Sequence, residues 1–244
     1  MRDLERDLLL IVLAVSAGSA DGWGYFGLGH AFVANMTGNT VLVAMSLLGY
    51  ESDLTQRGIA MGFYLLGVVL AALITRSVRE GAKWPRQVSA TLLLESILLI
   101  GAEAAWISIL HLPGHSATSA GHFHNVLLGI VAFAIGMQSG AMLQLRIPGV
   151  VTTYITGTWT SLSSGVVRLA SGKRPGSPRK KLAFEERLLL QGAVLLFYFL
   201  SAMLAGWVLK NIPAAVGVIP AASALIVAVF GLVRCGDANP TPAI

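Results

Sequence analysis

The chain has 244 residues, of which 55% are hydrophobic and 12% charged, with a mean hydropathy of +0.73. A soluble domain carries roughly 25% charged residues, so too little polar surface is present to cover a water-soluble globule, and the class is integral membrane protein. The formal net charge of +5 rests on Lys and Arg in short loops, which points to cytoplasmic loops and not to nucleic acid. The single Cys235 excludes an intrachain disulfide and any thiolate metal set.

A membrane helix needs about 20 mostly apolar residues. The first span covers residues 8–26. It is not read as a signal peptide, because Asp3, Glu5 and Asp7 offset Arg2 and Arg6. It carries a spaced glycine pair, Gly18 and Gly22, around Asp21. An intramembrane carboxylate is by default a functional candidate; the bland reading is a helix-capping Asp. A shorter apolar segment, 34–49, follows, and begins Asn35-Met36-Thr37-Gly38-Asn39-Thr40.

Loop 50–57 carries one Arg and two acids, and span 58–75 comes next, with Gly67 and Ala71 four residues apart. Loop 76–87 holds Arg76, Arg79, Lys83 and Arg86 against Glu80. Span 88–110 contains Glu95 near mid-membrane and Glu103 eight residues on, about 12 Å along the axis. That distance suits stations in a proton path; the alternative is that each pairs with a polar neighbour.

Loop 111–123 has no Lys, Arg, Asp or Glu. His111, His115, His122 and His124 cluster there without a Cys, Asp or Glu, so the loop is read as solvated and no metal site is expected. Span 124–144 repeats the glycine pair as Gly136 and Gly140, with Gln138 and Ser139 between them. The second short segment, 152–169, contains Tyr154-Ile155-Thr156-Gly157-Thr158-Trp159. From Gly22 to Thr37 is 15 residues, and from Gly140 to Thr156 is 16. Loop 171–187 is basic, with Lys173, Arg174, Arg179, Lys180, Lys181 and Arg187 against Glu185 and Glu186. Spans 188–209 and 214–233 close the chain, and Ser201 and Ala205 match Gly67 and Ala71. Such pairs let helices approach closely, and dense packing explains them without further function.

The basic loops 76–87 and 171–187 belong inside, and loops 50–57 and 111–123 outside. Residues 124–170 must then cross an odd number of times. Three crossings need about 60 residues and only 47 are present, so this stretch crosses once and spends the rest on a re-entrant or broken helix. The same holds for residues 8–50, provided the N-terminus is inside. The expected fold is an all-α integral membrane bundle of two internal repeats, 1–122 and 123–244. Inverted topology is favoured over parallel four-helix halves, with six full spans, two short helices and both termini cytoplasmic.

Duplicated, glycine-broken polar segments are the usual pointer to a transporter's central site. Unsatisfied polar groups cost several kcal/mol in lipid, so the T-G segments should face protein or a wet cavity. The expected substrate-binding residues are Asn35, Thr37, Gly38, Asn39, Gln138, Thr153, Thr156, Gly157 and Thr158; Asp21 and Glu95 are expected to carry a proton or cation. The alternative is that the Thr and Asn groups are interhelical glue. No phosphate-binding loop, nucleophile elbow, zinc-protease or dinucleotide motif is present, so neither enzymatic activity nor a cofactor is expected. Two rivals to a small-solute permease remain: a membrane-embedded enzyme built on Asp21, Glu95 or His30, and a non-catalytic partner subunit. Association with further copies of the chain stays open.

These residues resemble a known group. Gly18, Asp21, Gly22, Phe32, Ala34, Asn35, Met36, Thr37, Gly38 and Asn39 match the N-terminal signature of the YoaK family of bacterial inner-membrane proteins. Gly136, Gln138, Ala141, Thr152, Thr153, Tyr154, Thr156, Gly157 and Thr158 match its second-half signature. The resemblance covers nearly the whole chain in motif order. It implies a polytopic protein of the bacterial inner membrane and names no substrate.

Overall fold

The fold is taken from a computed structural model, which describes residues 3–50, 53–78, 84–111, 117–145, 155–171 and 178–235. The described residues form eight α-helices: α1 (Asp3–Gly27), α2 (Met36–Leu47), α3 (Leu54–Thr75), α4 (Arg86–Leu110), α5 (Ala117–Leu143), α6 (Ile155–Ala170), α7 (Pro178–Asn211) and α8 (Val218–Cys235). A 3₁₀ turn, Pro213–Ala215, joins the last two. Six segments are long and apolar enough to cross a membrane: Leu4–Gly27, Leu54–Thr75, Arg86–Leu110, Gly121–Leu143, Leu182–Asn211 and Pro213–Arg234. They match the six expected spans to within a few residues, except that α7 begins ten residues early. Its first turn, Pro178 to Lys181, is helical but precedes the apolar segment.

The two short helices are short for a physical reason. At 1.5 Å per residue, the 12 residues of α2 and the 16 of α6 reach roughly 18 and 24 Å, less than the roughly 30 Å hydrocarbon layer. Before α2, the chain turns through Gly29 (φ 130°) and His30 (φ 53°). The first of these conformations costs glycine little and other residues much. Asn35 then starts the helix, its side-chain oxygen accepting from Gly38 N–H at 3.1 Å, an N-cap that satisfies one of the orphan donors of the first turn.

Contacts fix the relative directions of the spans. Gly18 lies against Tyr198, Gly22 against Ala202 and Gly27 against Leu209, so α1 and α7 run together. Gly129 lies against Phe63, Gly136 against Tyr64 and Gly140 against Val68, so α3 and α5 also run together. The helix α8 opposes α1, with Glu5 and Arg234 3.8 Å apart at one end and Ser16 bonded to the Pro220 carbonyl further along. It opposes α4 as well, where Gly231 meets Ser89 and Gly217 meets Glu103. The Trp106 ring lies 5.6 Å from the His124 ring, which pairs the end of α4 with the start of α5. Hence α1, α4 and α7 point one way, and α3, α5 and α8 the other. Since α1 and α3 are already opposed, α2 adds no net crossing; α6 adds none between α5 and α7. The first and last described residues sit at the same end of the bundle.

The spans α1 and α5 are the most enclosed, and their glycines make this possible. A Cβ on Gly18 would overlap the Tyr198 carbonyl, and one on Gly136 the Tyr64 carbonyl. By contrast, α3 and α7 present broad apolar faces, including Phe63, Leu66, Val69, Phe199, Met203 and Trp207, as a lipid-facing surface requires.

Candidate functional site

The start of α2 and the start of α6 line one cavity. Ala34, Asn35, Met36 and Thr37 come from the first T-G segment, and Ile155 and Thr156 from the second. Together with Tyr64 of α3 and Tyr198 of α7, they line one cavity of about 260 Å³. Two segments 119 residues apart (Thr37 and Thr156) thus share one space. No charged side chain is among its described lining residues.

Asp21 stands behind this cavity. One carboxylate oxygen accepts from the backbone N–H groups of Val33 (2.7 Å), Ala34 (2.6 Å) and Asn35 (3.3 Å). The other accepts from the Tyr198 hydroxyl. The carboxylate therefore holds both the entry of α2 and one wall of the cavity. A carboxylate taking several backbone N–H bonds replaces the hydration it loses on burial, which explains how this group is tolerated while only 4% exposed.

The sequence-predicted residues divide into three sets. Asn35, Thr37 and Thr156 line the cavity. Asn39 and Gln138 are consumed by the fold. The Asn39 side chain makes two bonds to the Phe32 backbone, accepting at 2.9 Å and donating at 2.6 Å, while Gln138 donates to the Leu13 carbonyl across the α1–α5 contact at 3.0 Å. Gly38 packs on the Phe32 ring, and Thr158 is buried. Gly157 lies in the first turn of α6, and Thr153 lies outside the described residues. Glu95 does not reach the cavity; it is fully buried in α4, and neither oxygen has a hydrogen-bond partner. Glu103 is an N-terminal cap for α8, accepting from Gly217 N–H at 3.0 Å, and Trp106 one turn on donates to the Pro213 carbonyl at 2.8 Å. That pair fastens the turn before α8 and accounts for Glu103 structurally. His30, its side chain 62% exposed, lies 3.6 Å from Asp53.

Sequence reasoning missed Tyr64 and Tyr198. A signal was present: each stands three residues before the matched small residues, Tyr64 before Gly67 and Tyr198 before Ser201. The same register that brings those small residues to α5 and α1 turns the tyrosines toward the cavity.

Six apolar spans in alternating directions among the described residues, with two half-length helices starting on a shared cavity, define a multi-pass helical membrane protein. Residues 9–230 match the family model described as "Protein of unknown function (DUF1275)". The chain belongs to that family. It is 30% identical over 194 residues, 79% of each chain, to the UPF0700 transmembrane protein YoaK of Bacillus subtilis (strain 168). No solved structure matches.

Proposed function

We propose that this protein is a small-solute permease of the bacterial cytoplasmic membrane, with both termini on the cytoplasmic side and its site in the cavity between the T-G segments. The observation that carries the reading is that both segments line the same space. A volume of about 260 Å³ holds on the order of eight waters, so the solute is small. Thr37, Thr156, Asn35 and the tyrosines offer hydrogen bonds and no charge, which suits a polar solute.

The packing supports reading the chain as two inverted repeats. Exchange α1 with α5 and α3 with α7, and the two glycine-pair contacts have their counterparts. Gly18 on Tyr198 corresponds to Gly136 on Tyr64, and Gly22 on Ala202 and Ala205 to Gly140 on Val68 and Ala71. The three spans of the first half alternate in the opposite sense to those of the second. Such halves, rocking about a central site, are the usual basis of alternating access. Asp21 is the asymmetric element, since Ser139 stands at the matching place in α5. Releasing its bond to Tyr198 frees one cavity wall, and this is the coupling role we assign it.

The rivals fit less well. An embedded enzyme would use Asp21, Glu95 or His30, and none of the three lines the cavity. A passive partner subunit needs no cavity.

The test is a thermal-shift screen of the purified protein against small polar solutes, followed by counterflow of any hit in proteoliposomes. Saturating solute at a hundred times its Kd stabilises by about 2.7 kcal/mol, a rise of roughly 5–10 °C in Tm for a chain of this size. Thr37→Val with Thr156→Val should abolish the shift. A hit whose shift and flux survive that double substitution contradicts the site.

A further inference from the structure

Glu95 is used neither by the cavity nor by the fold. It is fully buried, and both of its oxygens lack a hydrogen-bond partner. Its setting is the junction of α4 with α1 and α8. From α1, the Ser16 side chain lies beside it, but the Ser16 hydroxyl is turned to the Pro220 carbonyl of α8 at 3.3 Å. Among the described residues, no charged group on the packed helices acts on Glu95. The other acid of α4, Glu103, is two turns away and bonded to Gly217. An ionised carboxylate so placed has no counter-charge and only the Ser16 hydroxyl within reach as a donor, a costly arrangement for a buried group. A packing role would be filled better by Leu.

We propose that Glu95 is an exchangeable proton-binding site at the α1–α4–α8 junction, separate from the solute cavity. The proton is carried on a carboxylate oxygen as a neutral acid, and Ser16 is the group that answers its loss. When the proton leaves, the Ser16 hydroxyl turns from the Pro220 carbonyl to donate to the carboxylate, which breaks a link between α1 and α8. Because α1 also carries Asp21, five residues or about 7.5 Å further along, the proton state of Glu95 reaches the clamp on α2 and Tyr198 through one rigid helix.

The experiment is infrared difference spectroscopy of the full chain in lipid vesicles, taken between acidic and alkaline buffer, with choline as the only other cation. The wild type should lose a carboxylic-acid C=O band at alkaline pH. Glu95→Gln should lack that band, and Ser16→Ala should keep it but move its midpoint to higher pH. A far-ultraviolet circular dichroism spectrum matching the wild type's confirms that each variant is folded; if Glu95→Gln fails this check, Glu95→Asp takes its place, and the band must then shift in frequency. The proposal is overturned if wild type and Glu95→Gln give the same difference spectrum, or if the band in the wild type is removed at fixed pH by sodium, which would make this a sodium site. No solute enters the measurement, so this site and the permease reading can fail independently.

Discussion

Of the three carboxylates buried in this bundle, Asp21, Glu95 and Glu103, the first two are buried in opposite ways. Asp21 is surrounded by donors: three backbone N–H groups and a tyrosine hydroxyl. Neither Glu95 oxygen has a hydrogen-bond partner. Both lie in apolar spans, and sequence alone ranks them together as intramembrane acids. The difference teaches that burial does not define a role; the partners do. Asp21 is a structural clamp whose release has consequences, whereas no hydrogen bond ties the Glu95 carboxyl to the fold.

The sharpest way to break this comparison is to remove each carboxylate and read stability. Asp21→Ala strands three backbone donors and the Tyr198 hydroxyl, and at about 1–3 kcal/mol per orphaned group it should cost on the order of 4 kcal/mol, seen as loss of folded protein in detergent. Next come the helix contacts that hold the clamp in place. Gly18→Ala and Gly136→Ala drive a methyl group into a backbone carbonyl, and each should cost about 3 kcal/mol by overpacking. Nearly equal costs would support the repeat. Gly101→Ala, with nothing within 4 Å, is the control and should be neutral or slightly stabilising. Tyr198→Phe removes only one bond to the Asp21 carboxylate, for about 2 kcal/mol, and leaves the backbone bonds intact. The smallest effect has the opposite sign: Glu95→Leu should stabilise by about 1 kcal/mol, because an unpartnered polar group is replaced by an apolar one of similar volume. Destabilisation by Glu95→Leu would mean that Glu95 has a structural partner after all.

Much of the architecture was legible because a membrane reduces folding to lengths and charges. The short segments 34–49 and 152–169 became helices of 12 and 16 residues, as the crossing count required. The early start of α7 was not legible, since hydropathy is silent about a helix that continues into water. At the site, the duplicated T-G segments pointed to the cavity, but the side-chain roles inside them did not follow. Asn35, Thr37 and Asn39 look equivalent in sequence. Only tertiary geometry makes Thr37 a lining residue while Asn39 bonds the Phe32 backbone. Asp21 could be recognised as unusual, but its donors come from residues 12 to 14 positions on, on a connector whose path no periodicity encodes. The tyrosines were hidden because an aromatic residue in an apolar span usually faces lipid or core.

The central claim is that the two T-G segments face one another across a single cavity. It is tested most directly by cross-linking. Replace Cys235 with Ser, place cysteines at Thr37 and Thr156, and insert a protease site between residues 112 and 116. Membranes are then treated with a short bifunctional thiol reagent and cut. The account predicts that the halves stay joined in the double-cysteine protein and separate in either single-cysteine control. Separation in the double-cysteine protein, with both thiols shown to be reactive, would contradict the shared site.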